Sequence, residues 1–221
     1  MTTAKRYPGF QLREGEELKT VTGPLTRHVG SLIGNRIQVP HPAPPDAEPL
    51  VPLDHLPHVP LESSTSGRFP VDDWSGDDSI GWWAEARDPA GDAVRAADAL
   101  AACGSSGAIF VTTHRFGVGI PEYLFAYFRE DPATTERKGL FGKVLSAVAG
   151  PKKYPNHWDP FEGKLVWTWE CGIERVHGVA TPLVGRSFPF PKVVRVAFTD
   201  GSLLYGRYDV GCLIHGEKVK K

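Results

Sequence analysis

The sequence has little cysteine, a single methionine, no long apolar run and almost no net charge. Cys103, Cys171 and Cys212 are its three cysteines in 221 residues, odd in number and far apart. They give neither a disulfide framework nor a CxxC metal hook; they suit a reducing compartment and read as small buried hydrophobes. No run of about 18 apolar residues exists, which excludes a membrane-spanning helix. The formal charge is −1, so no global positive field gathers phosphates, and a dedicated nucleic-acid binder is excluded. Residues 1–18 mix Lys5, Arg6, Arg13, Glu14, Glu16 and Glu17 without the apolar stretch of a secretory signal. The expected location is the cytoplasm, peripheral at a membrane as the finer expectation.

What is present is ordinary globular material, 41% hydrophobic and 23% charged, long enough to bury a core without disulfides. The charge is segregated. Residues 41–92 carry eleven Asp/Glu against Arg68 and Arg87, a net charge of −9, whereas residues 132–221 carry +6. Eight prolines fall within residues 40–60, and each fixes φ and removes a backbone donor, so that stretch forms neither helix nor inner strand. One helix is predicted over about 89–103: Pro89 at the first turn, Asp88 as its cap, then Ala93, Val94, Ala97, Leu100 and Ala101 at helical spacing until Gly104. Residues 108–118, 164–169, 172–179, 193–198 and 203–208 are rich in β-formers and read as strands, the first of them continuous. Asp200-Gly201 between the last two is a hairpin turn signal. Residues 16–29 add a strand broken at Gly23-Pro24. The strands from 108 onward are expected in one antiparallel system, and the fold class is α+β, mainly antiparallel β. Trp82-Trp83 is assigned to the core.

Three segments resemble bacterial PH-like and GRAM-like domains: Thr113 with Arg115 at a strand end, then Trp169, Glu170, Ile173 and Val176, then Phe198, Asp200, Gly201 and Ser202. Thr113 and Arg115 stand one residue closer than the T-x-x-R pattern. The resemblance implies a bent β-sandwich or split barrel capped by a C-terminal helix, for which residues 209–221 offer about three turns at most. It also implies lipid or protein binding through loops at one end. The division that follows is residues 1–34 as a segment supplying a first strand, 35–87 as a proline-rich acidic loop or linker, and 88–221 as the β domain.

Candidate chemistry is sparse. His41, His55 and His58 lie near one another in sequence but lack ligand spacing, and Pro57 forbids a helical His pair, so neither metal nor cofactor is expected. Gly142-Lys143 looks like the end of a phosphate loop, but Arg137 and Val144 replace its glycine and hydroxyl. Cys103-Gly104-Ser105-Ser106-Gly107 reads as a helix cap and turn rather than a nucleophile elbow. Glu170 and Glu174 are expected to pair across strands with Arg175, Arg186 or Arg195. The leading surface is residues 137–153, where Leu140, Phe141, Val144, Leu145 and Val148 share one helical face within about 140°. Arg137, Lys138, Lys143, Lys152 and Lys153 flank or oppose that face, and Tyr154, His157 and Trp158 follow it as interface aromatics. Either the apolar face covers an end of the sheet system, or it contacts an anionic lipid surface or a protein partner. The expected function is thus a non-enzymatic binding module. Its rivals are an enzyme with a pocket around His114, Glu170 and Asp200, and a scaffold subunit whose acidic loops dock on a basic half. Oligomeric state is not encoded in any of these patterns.

Overall fold

Alternation of apolar and polar residues places strands; which faces become buried then decides how they assemble. The computed structural model describes residues 12–22, 27–42, 60–66, 71–103, 107–121, 165–185, 188–207 and 213–215. In chain order the elements are β1 (Leu18–Thr22), β2 (His28–Ile33), β3 (Arg36–Gln38), α1 (Glu62–Thr65), β4 (Ile80–Ala86), α2 (Asp92–Ala102), β5 (Ala108–Thr112), β6 (Arg115–Pro121), β7 (Leu165–Gly172), β8 (Val176–Ala180), β9 (Val193–Phe198), β10 (Leu203–Arg207) and β11 (Leu213–His215). They form two open sheets, β11-β1-β5-β6-β7 and β3-β2-β4-β10-β9-β8. All pairings between these strands are antiparallel except β2 with β4. The fold class is α+β, mainly antiparallel β.

The two sheets share one core because β6, β7, β9 and β10 turn their apolar residues toward each other. Phe116 of β6 meets Phe198 of β9 edge to face at 5.3 Å, and Trp169 of β7 packs on both rings. Helix α2 lies against both sheets. Its alanines at 93, 96, 97, 99 and 102 are buried with Val94 and Leu100, and their small size admits close approach from both sides. Trp82 and Trp83 are both buried, on opposite faces of β4. Trp82 joins the shared core. Trp83 stacks at 5.5 Å on Trp74 in a second cluster with Ile80, Val193 and Tyr205. Each such buried aromatic contributes roughly 1.5–3 kcal/mol of transfer free energy.

Several expectations are corrected by this arrangement. Residues 108–118 are two strands, because the chain reverses at Thr113-His114 and Val111 returns opposite Phe116. The strands from 108 onward do not share one sheet: the chain leaves the first sheet after Gly172, bends through a 3-10 turn at Ile173–Arg175, and enters the second as β8. The Asp200-Gly201 turn is present, with Gly201 at φ +82° and Phe198 N–H donating to Ser202 O at 2.9 Å. Helix α2 begins at Asp92 rather than 89, since Asp88 caps a preceding turn by accepting from Ala90 N–H. The segment 35–87 contains β3, α1 and β4, and β4 is an inner strand of its sheet. Residues 213–215, expected in a short helical cap, form a strand paired with β1. Residues 16–29 divide between β1 and β2, one in each sheet. The proline-rich residues 43–59 lie outside the described residues.

Candidate functional site

The carboxylates singled out by sequence are held in separate structures. Arg115, at the start of β6, donates through Nε and Nη2 to both oxygens of Glu16, at 2.8 and 2.6 Å, and through Nη1 to Glu170 at 2.8 Å. Glu16 also accepts from the Thr112 hydroxyl and from Arg13 N–H, so both its oxygens are doubly occupied. The Arg115 guanidinium lies 5.2 Å from the Trp167 ring. These bonds, the Arg115 pair above all, outweigh the burial of Glu16 and bring its carboxyl down to about 2. Glu170 therefore pairs with Arg115, and with Arg13 at 3.5 Å, not with the arginines expected across strands. The reason is that β7 pairs with β6, which places Gly117 opposite Glu170 and Arg115 at the same strand end.

Asp200 has a different task. Its Oδ2 accepts from Asp92 N–H at 2.7 Å, and the Ser202 hydroxyl accepts from Ala93 N–H at 3.0 Å, so the β9–β10 turn caps α2 in the absence of a side-chain cap from Gly91. Burial works to raise the Asp200 carboxyl, but bonds from Ser202 and from the α2 backbone lower it below its ordinary range. Asp92 is buried beside Arg175 Nη2 at 2.6 Å, and burial pushes its carboxyl up. His114 spans the β5–β6 turn, its N–H bonded to Thr112 Oγ1 and its carbonyl to Ile173 N–H. Glu170 and Asp200 are thus committed to different partners.

A Ser-His-Asp constellation does exist elsewhere. Ser31 Oγ and His41 Nδ1 are 2.7 Å apart, and His41 Nε2 is 2.6 Å from Asp98 Oδ1. Because the carboxylate only accepts, Nε2 donates to Asp98. A hydrolase needs the serine exposed and the carboxylate inside. Here Ser31 is 0% exposed and the Asp98 side chain 31%. The relay is a clamp: it fastens β2 and the chain after β3 to α2, and His41 N–H adds a bond to Val29 O. Among the described residues no three His, Cys, Asp or Glu side chains are grouped to hold a metal ion. His55, His58 and Cys212 lie outside those residues, whereas Cys103 and Cys171 are buried, which pushes both thiols up to about 12.

The surface feature that sequence reasoning missed is the arm formed by β8, residues 181–185 and 188–192, and β9. Most of β8 is exposed on both faces, and pairing continues past it through a bridge between Leu183 and Lys192. Val193 is buried and the partly buried Val184 packs against the same Trp74–Trp83 cluster, holding the chain next to that bridge. Around these two residues, Phe188 is 91% and Leu183 74% exposed, with Val179 and Phe190 exposed as well. Four of the six large apolar side chains exposed among the described residues lie on this arm. Phe188 and Phe190 meet edge to face at 6.3 Å. A signal was available: Phe-Pro-Phe-Pro at 188–191 sits in a stretch, 175–199, with no Asp or Glu. The segment 137–153, with Arg137, Lys138, Leu140, Phe141, Lys143, Val144, Lys152 and Lys153, and the aromatics Tyr154, His157 and Trp158, lies outside the described residues. No helix among the described residues is long and apolar enough to cross a membrane. Compared with protein-family models, curated proteins and solved structures, the chain matches none.

Proposed function

We propose that the protein is a binding module, of PH-like or GRAM-like type, that contacts a membrane surface or a protein partner through its β8–β9 arm. The observation that carries this reading is the exposure of Phe188, 91%, beside exposed Leu183 and Phe190. Large apolar side chains clustered in solvent are the mark of a contact surface, because leaving them in water forgoes the burial that drives folding. Val184 and Val193 hold the chain beside the Leu183–Lys192 bridge to the second sheet, so the exposed apolar residues around it are presented at a set place. The basic amphipathic segment 137–153 is the second part of the contact surface in this reading.

The commitment of Glu170 to Arg115 and of Asp200 to the start of α2 supports binding over catalysis. A photoreactive aromatic amino acid placed at 188 tests the reading without assuming the target. Adducts to lipid or protein in a cell extract are expected at 188 and not at the exposed α2 position Arg95. Equal labelling at the two positions, or none at either, overturns it.

A further inference from the structure

We infer that the target of the arm is an anionic bilayer surface, with Phe188, Phe190 and Leu183 entering the interfacial region and the exposed Lys192 at the head groups; this rests on the binding-module reading above. Charge selects the target. The chain as a whole is −1, yet residues 175–199 contain Arg175, Arg186, Lys192 and Arg195 and not one acidic residue. Two of these cations are used internally. Arg175 pairs with Asp92, and Arg195 lies by Glu85 and Tyr205 on the outer face of the second sheet. Lys192 is exposed, and it and Arg186 bracket the two phenylalanines in sequence.

Shape points the same way. A side chain with nine-tenths of its surface in solvent needs a yielding medium or a matching cavity to bury it, and the bilayer interface supplies the first without specific fit. Pro182, Pro189 and Pro191 restrict the backbone around the aromatics, so less freedom is lost when they are immobilised. A second copy of the chain is disfavoured as occupant, because a two-fold contact between arms sets the exposed Lys192 of each toward that of the other. A neutral surface is disfavoured because the acid-free stretch then gains nothing from its charge. Apolar insertion and attraction to anionic lipid add, and either alone gives weak binding.

Flotation of the full-length protein with vesicles tests this directly. Vesicles of phosphatidylcholine containing phosphatidylserine are expected to carry the protein at low salt, and vesicles of phosphatidylcholine alone to carry much less. Raising the salt shortens the Debye length from about 10 Å at 0.1 M to about 3 Å at 1 M and is expected to release most of it. The Phe188→Ala/Phe190→Ala variant is expected to lose at least about tenfold in partitioning while keeping a cooperative melt, since Phe188 is 91% and Phe190 44% exposed. Arg186→Gln/Lys192→Gln is expected to weaken binding and flatten its salt dependence. Absence of binding to the anionic vesicles at low salt, or equal flotation of the double phenylalanine variant, overturns the inference. If the probe at 188 meanwhile captures a protein, the lipid assignment falls and the binding-module reading stands; if it captures nothing, both fall.

Discussion

Replacing Glu16 with Gln isolates the electrostatic contribution of its buried pair with Arg115. The Glu16 side chain is fully buried, and each of its oxygens accepts two hydrogen bonds, from Arg115 Nε and Thr112 on one and from Arg115 Nη2 and Arg13 N–H on the other. Gln keeps one acceptor oxygen and turns an NH₂ group toward two donors. The carboxyl falls from an ordinary 4.5 to about 2 in the folded chain, chiefly because of the Arg115 bonds. At 1.36 kcal/mol per pH unit, a depression of that size amounts to about 3 kcal/mol. A depressed folded-state pKa gives stability that is fully present above the unfolded value and is lost as pH falls through the folded one. The wild type therefore sheds this contribution between about 4.5 and about 2, and Glu16→Gln has none to shed. Urea unfolding followed by tryptophan fluorescence, stepped from neutral pH down to about 2, should show the variant about 3 kcal/mol less stable at neutrality, with the two curves converging in acid. A gap between them that stays constant over the acid range would refute the reasoning.

Three further outcomes follow from packing. A Cβ at Gly117 would fall 1.8 Å from Trp167 Cζ3 and 2.8 Å from the Trp169 carbonyl, so Gly117→Ala should cost about 3 kcal/mol in chemical denaturation, with partial recovery when Trp167→Leu is added. Asp200→Ala removes the acceptor for Asp92 N–H and should lower stability by about 1–2 kcal/mol, read as a drop in melting temperature; an unchanged melt would show that the remote cap is energetically idle. Cys103 and Cys171, buried with thiols raised to about 12, should resist alkylation at mildly alkaline pH until denaturant is added, as mapped by mass spectrometry of tryptic peptides.

The division between what was legible in the chain and what was not follows the range of the interactions. Strand positions, the Asp200-Gly201 turn, the helix around Leu100 and the burial of Trp82 and Trp83 are set by local periodicity, turn chemistry and apolar surface, all readable within a few residues. The single-strand reading of 108–118 failed because its β-forming residues run on through Thr113-His114, where neither glycine nor proline marks the reversal. Partnership could not be read, since alternation states that a strand has a buried face and not which strand covers it. Sheet assignment, the bend between β7 and β8, and the meeting of Glu16 with Arg115 across 99 positions or of His41 with Asp98 across 57 were decided by tertiary packing. The arm shows the same division. Its composition, Phe-Pro-Phe-Pro in an acid-free stretch, is written in the sequence, but phenylalanine is ordinarily a core residue. Only the fold, by burying Val193, packing Val184 partly beside it and leaving Leu183, Phe188 and Phe190 without cover among the described residues, turned those rings into surface.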